Sequence, residues 1–148
     1  KLINLARADK AFFGQKDAQQ VTVIRRFVDD LNIPVEINMV PIVREDNGLA
    51  RSSRNAYLSE EEKKAALILS ASLAKAQKAY DEGERDVENI KKIVVDSLNT
   101  EPMSVIDYVE LYSFPALEEI KTVEKASLLA IAVRIGKTRL IDNLILGE

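Results

Sequence analysis

Apolar residues recur at helical spacing in some stretches of the chain and run together in short β-rich blocks in others, and this rhythm predicts the elements. Lys1–Ala8, with Leu2, Ile3, Leu5 and Ala6, reads as the end of a helix. Ala11, Phe12 and Phe13 read as a short strand stopped by Gly14. Asp17 then opens a helix whose core face is Val21, Ile24, Val28 and Leu31, and Asn32 with Pro34 ends it. Val35–Val40 is the next strand. Strand, glycine-containing turn, helix and strand make a βαβ unit with two parallel strands. Parallel strands are normally buried on both faces within larger sheets, so the pattern predicts partner strands that this sequence does not contain.

From Arg44 the texture changes. A charged, turn-rich stretch (REDNGLARSSRN) precedes a capping box, Ser59 to Glu62, and a long helix with Ala66, Leu69, Leu73, Ala76 and Tyr80 on one stripe, closed by Gly83. Asp86 caps a second helix through Ser97. Val105–Tyr112, Leu128–Ile135 and Arg139–Leu146 are β-rich, the last two joined at Gly136 and Lys137 as a hairpin. The expected class is α/β. Residues 1–43 would be the end of a Rossmann-like βαβ domain, and residues 44–148 a small α+β domain with an antiparallel sheet and two helices.

Composition narrows the chemistry. The 148 residues are 47% hydrophobic and 30% charged, which suits an ordered globular chain. The 21 basic and 24 acidic residues are mixed along the sequence, with no basic stripe to follow a phosphate backbone, so nucleic acid is not an expected partner. The apolar run Leu128–Val133 is far short of the roughly 20 residues that span a bilayer. With no cysteine, disulfides and thiolate chemistry are excluded, which fits a cytoplasmic protein. There is also no histidine, so chemistry must run on Lys, Arg, Asp, Glu, Ser, Gln and backbone groups. The chain starts at Lys1 inside an amphipathic segment, and the expectation is that it is part of something longer.

Two stretches could carry that chemistry. Gly14, Gln15, Lys16 and Asp17 sit where a strand ends and a helix begins, the edge at which α/β sheets bind ligands. Gly14 would let a ligand approach the backbone, Lys16 would meet phosphate, and Asp17 would accept from ribose hydroxyls or cap the helix. Asp17 followed by Gln20 is also an ordinary capping pattern. Arg51, Ser52, Ser53 and Arg54 put two cations and two hydroxyls in one loop, a grip for polyphosphate or a merely solvated turn. Gly136-Lys137-Thr138 ends like a phosphate loop, but Ile131 replaces the upstream glycine and the flanks read as strands. Asp46-Asn47-Gly48 lacks the remaining ligands of a calcium loop and reads as a tight turn.

Taken in order, FGQKDAQQ (13–20), VPIVRE (40–45), DNGLARSSRNAYLS (46–59), DYVEL (107–111) and GKTRLIDN (136–143) resemble the pantothenate synthetase family across nearly the whole chain. The resemblance implies an ATP-dependent condensation of pantoate with beta-alanine through a pantoyl adenylate, releasing pyrophosphate and AMP, with Mg2+ required and a homodimer as the assembly. It implies that Gly14, Gln15, Lys16 and Asp17 contact ATP, Gln20 contacts pantoate, Val43 meets adenine through its backbone, and Arg51, Ser52, Ser53 and Arg54 meet the phosphates. A carboxylate attacking a phosphate brings two anions together, which makes Lys16 and Arg54 the catalytic candidates. Arg51 stands where the family's serine-containing signature often has Met or another residue.

The family's His-x-Gly-His signature lies near its amino terminus and finds no counterpart in a chain without histidine. The resemblance also assigns the metal ligands and most of the pantoate pocket to that half, so the chain alone is expected to be inactive. The alternatives are a non-catalytic nucleotide-binding or oligomerisation module and a related nucleotidyl transferase with another acceptor.

Overall fold

The computed structural model describes residues 1–147. It falls into two compact units with the boundary between Ile42 and Val43. In the first, helix α1 (Leu2–Ala6) leads into strand β1 (Lys10–Gly14), helix α2 (Ala18–Asp30) and strand β2 (Glu36–Val40). The two strands pair in parallel with Ala11 opposite Ile37 and Phe13 opposite Met39, as the βαβ pattern requires. Along β1 burial alternates: Ala11 and Phe13 are half-buried, and Phe12 faces outward.

Asp17 caps α2, its Oδ1 accepting from the Gln20 amide at 3.2 Å. Val21 and Val28 are buried and Ile24 is half-buried, but Leu31 is exposed. The periodicity places Leu31 on the core face. It fails there because the helix has already ended at Asp30, and Leu31 is its C-cap, from which the chain turns through a left-handed Asn32.

The second unit runs through helix α3 (Glu60–Asp81), helix α4 (Val87–Leu98) and strands β3 (Ser104–Ser113), β4 (Ser127–Ile135) and β5 (Thr138–Leu146), paired antiparallel in the order β3-β4-β5. The capping box at the start of α3 is complete: Ser59 Oγ accepts from the Glu62 amide at 3.2 Å, and Glu62 Oε2 accepts from the Ser59 amide at 2.8 Å. Ala66, Leu69, Leu73 and Ala76 are buried as their spacing predicts, with Tyr80 partly buried at the edge. They meet Ile90, Val94 and Leu98 of α4 and the alternate residues Leu129, Ile131, Val133 and Ile135 of β4 in one core. Gly136 and Lys137 form the two-residue turn between β4 and β5, Gly136 adopting φ 58°.

Candidate functional site

The first candidate cluster is built by the junction of β1 with α2. Gly14 ends the strand with extended backbone (φ −71°, ψ 133°), so its conformation does not demand glycine. A β-carbon added there would meet nothing within 4 Å. The open space above its backbone is what a close-approaching ligand needs. Gln15, Lys16 and Asp17 form a single 3-10 turn, the first two half-buried and Asp17 exposed. One oxygen of Asp17 is committed to capping α2, so both readings of this residue meet in one side chain. Gln20 lies exposed on the first turn of α2, close to the positive end of a 13-residue helix.

The second cluster is a small hairpin followed by a 3-10 turn. Arg44 and Ala50 form an antiparallel bridge. The Arg51 amide donates to the Val43 carbonyl at 2.9 Å, and the Glu45 amide to the Leu49 carbonyl at 2.8 Å. The tip is the tight turn expected at Asp46-Asn47-Gly48: the Gly48 amide donates to the Glu45 carbonyl at 2.8 Å, and Gly48 takes φ 94°. Beyond it, Ser52 caps the 3-10 turn Ser53–Tyr57, its Oγ accepting from the Arg54 amide at 3.2 Å.

These turns enclose an open cleft of about 850 Å³ lined by Glu45, Asp46, Asn47, Arg51, Ser52 and Ser53. Arg51, Ser52 and Ser53 are therefore brought together as the sequence suggests, while Arg54 stands exposed on the adjoining 3-10 turn. Val43 is exposed at the base of the hairpin, and its carbonyl already accepts from Arg51. The cleft thus offers two hydroxyls, a side-chain amide and one arginine beside the carboxyl groups of Glu45 and Asp46.

Three features of this cluster escape the sequence reading. Glu45, Asp46 and Asn47 line the same cleft, although Asp46-Asn47-Gly48 reads only as a turn. Asn55 is buried and ties the hairpin together, its Nδ2 donating to Glu45 Oε1 at 3.0 Å and to the Ala50 carbonyl at 3.1 Å. Asp142, buried within β5, accepts from Arg44 at 2.7 and 3.1 Å. A charged residue inside the apolar run of β5 was the available signal for the last of these. Among the described residues no group of three or more Asp, Glu, His or Cys side chains could hold a metal ion.

The family model for pantoate-beta-alanine ligase matches residues 1–145. The pantothenate synthetase of Pelotomaculum thermopropionicum is 54% identical over 148 residues, all of this chain and 52% of its own length. That of Clostridium acetobutylicum is 54% identical over 143 residues, 97% of this chain and 51% of its own. The chain spans about half the length of the curated relatives it matches. Among solved structures, the pantothenate synthetase of Thermus thermophilus superposes with a TM-score of 0.94 at 36% identity, covering 99% of this chain and 53% of that one. The pantoate-beta-alanine ligase of Francisella tularensis, solved with beta-gamma ATP and beta-alanine, shares the fold at a TM-score of 0.67 and 24% identity, over 97% of this chain and 46% of that one.

Proposed function

Because this chain belongs to the pantoate-beta-alanine ligase family, we propose that it forms the carboxy-terminal portion of an enzyme that joins pantoate to beta-alanine at the expense of ATP, through a pantoyl adenylate. The observation that carries this reading is the presence of both an open strand-to-helix turn at Gly14–Asp17 and a serine- and arginine-bearing cleft at Arg51–Ser53 in a chain matched along its length by the family. The ligand set of the Francisella tularensis ligase, beta-gamma ATP and beta-alanine, supports the same substrates.

On this reading the β1 turn receives ATP, with the Gly14 backbone open to it and Lys16 supplying positive charge where the attacking carboxylate meets the α-phosphate. Gln20 donates to pantoate from the first turn of α2. Arg51, Ser52, Ser53 and Arg54 hold the departing pyrophosphate, and Arg54 stabilises the charge that grows on it. Val43 meets the adenine through its backbone. The histidine-bearing half and the Mg2+ ligands belong to the further length that the relatives possess, so the 148 residues alone do not turn over. A homodimer in the cytoplasm belongs to the same proposal.

The test joins this chain to the segment by which the Pelotomaculum thermopropionicum relative exceeds it, and compares that extended protein with the 148-residue chain. Pyrophosphate release from ATP and pantoate is expected only from the extended protein. Turnover by the 148 residues alone would overturn the division of the site. Release that requires an acceptor or acid other than pantoate would point to a related nucleotidyl transferase instead.

A further inference from the structure

Asp142 projects from β5 onto the face that builds the core, between Leu140 and Leu144 and opposite Ile131 of β4. Its side chain is 2% exposed. A carboxylate there is costly unless it is paired and hydrogen-bonded. It finds three donors: Arg44 Nη1 at 2.7 Å, Arg44 Nη2 at 3.1 Å and the Asn143 amide at 2.8 Å. Arg44 in turn gives Nη1 to the Gly48 carbonyl at 3.1 Å, so the same guanidinium grips both the strand and the tip of its own hairpin.

A buried ion pair is weak grounds for stability, because apolar residues of similar volume would fill the site as well. What an arginine fork adds is direction: two parallel bonds fix angle as well as distance. Among the described residues, the other side-chain hydrogen bonds of this hairpin run within the loop itself. The hairpin is flanked by the 850 Å³ cleft on one side and by a second cleft of about 550 Å³ against α3 on the other, and Asn47 lines both. Leu49 is buried in the core, but apolar burial is non-directional, and the bonds of Asn55 are internal to the loop.

We infer that Arg44 and Asp142 are positioning residues, a bidentate tether from β5 that sets where the hairpin presents Arg51, Ser52, Ser53 and Arg54. This rests on the reading of that loop as the polyphosphate grip. The pair touches no substrate; it acts through the loop.

Two variants of the extended protein test it: Arg44→Lys, which keeps the charge and loses the fork, and the double change Arg44→Met with Asp142→Leu, which replaces the pair by apolar volume. Hydrogen exchange of amides 45–54 is expected to quicken by about 10-fold or more in both, while amides of β4 and α4 keep their rates. The KM for ATP is expected to rise about 10-fold with the KM for pantoate unchanged, and that rise is expected to vanish in an Arg54→Ala background. Unchanged exchange at 45–54 in the folded variants overturns the tether, and Arg44→Lys keeps the test open should the double variant fail to fold. Quickened exchange with effects of Arg44→Lys and Arg54→Ala that simply add overturns the positioning role. An unaltered extended protein that does not bind ATP removes the proposed function instead, and the exchange rates then decide the tether by themselves.

Discussion

In residues 1–42 a helix lies against two parallel strands and only Ala18, Val21 and Val28 are buried apolar residues, whereas from Val43 onward two helices and three strands enclose a continuous core running from Leu49 to Leu146. The first region leaves Leu2, Leu5, Phe12, Val23 and Leu31 each more than three-fifths exposed. A two-stranded parallel sheet has no other choice, since it buries neither face by itself. The second region solves the same problem internally: β4 is buried on both faces at every position except Arg134. Both regions carry residues proposed to handle ATP, so the richness of the core and the richness of the chemistry do not go together. In the second region the core also orders the site, through Asp142. In the first, the site rests on a helix cap and a single 3-10 turn.

Paired truncations put this contrast under the most strain. Leu129→Ala removes a fully buried side chain from β4 and is expected to cost about 2–5 kcal/mol in urea unfolding. Phe12→Ala removes a larger side chain that is 65% exposed, and in the 148-residue chain it should change stability by no more than about 0.5 kcal/mol. In the extended protein, if the added segment covers β1, the Phe12→Ala cost should climb above about 2 kcal/mol. Equal costs for the two truncations in the short chain would erase the distinction between the regions.

Function is expected to divide differently from stability. Lys16→Ala and Arg54→Ala in the extended protein should each slow adenylation by about 10²-fold, a barrier change of about 2.7 kcal/mol. Asp17→Ala would confound the two readouts, because losing the cap of α2 costs roughly 0.5–2 kcal/mol by itself. Single-turnover pyrophosphate release beside urea titration separates them. Near-normal adenylation in either variant would remove that residue from the proposed catalytic set.

Much of this contrast is legible in the sequence, and what is not has an identifiable cause. The elements of the second region follow from local rules: the Ser59 and Glu62 box, Gly83 after α3, Asp86 before α4 and the Gly136–Lys137 turn each act over a few residues. Leu31 misleads because periodicity continues one step past the point where the backbone stops being helical. The bond between Arg44 and Asp142 joins positions 98 apart, and no local pattern announces a partner at that distance. Asn55 is hidden for a similar reason: inside a polar loop sequence, nothing separates the one buried amide from its exposed neighbours.

A smaller effect probes how the second region locks its sheet to its first helix. Gly136 sits at φ 58°, and a β-carbon there would lie 2.0 Å from Glu62 Oε1. Glu62 is the residue that closes the capping box of α3. Gly136→Ala should therefore cost about 1–2 kcal/mol, part from the left-handed backbone and part from the displaced cap. The second part should disappear in a Glu62→Ala background, which leaves no carboxylate to displace. Unfolding of the two single variants and the double variant measures the coupling, and simple additivity would show that the turn and the cap are independent.

The smallest expected effect lies on the exposed edge of the same sheet. The register of β3 against β4 slips between Ile106 and Tyr108, and the bulged residue is Asp107. Its carboxylate accepts from Arg139 at 2.6 Å and from Arg134 at 3.0 Å, spanning β5 and β4. These bonds, Arg139 first and Arg134 second, hold the Asp107 carboxyl below its usual range. A carboxylate depressed on folding contributes stability that is fully present above the unfolded aspartate value of about 3.9 and is lost as pH falls through the lower folded value. The melting temperatures of the unaltered chain and of Asp107→Asn should therefore differ at neutral pH and converge as the solution is acidified below about pH 4. Added salt should narrow the neutral-pH gap, because all three side chains are open to solvent. A gap that persists unchanged into acid would mean that something other than the charge Asp107 presents to the two arginines sets the difference between the two proteins.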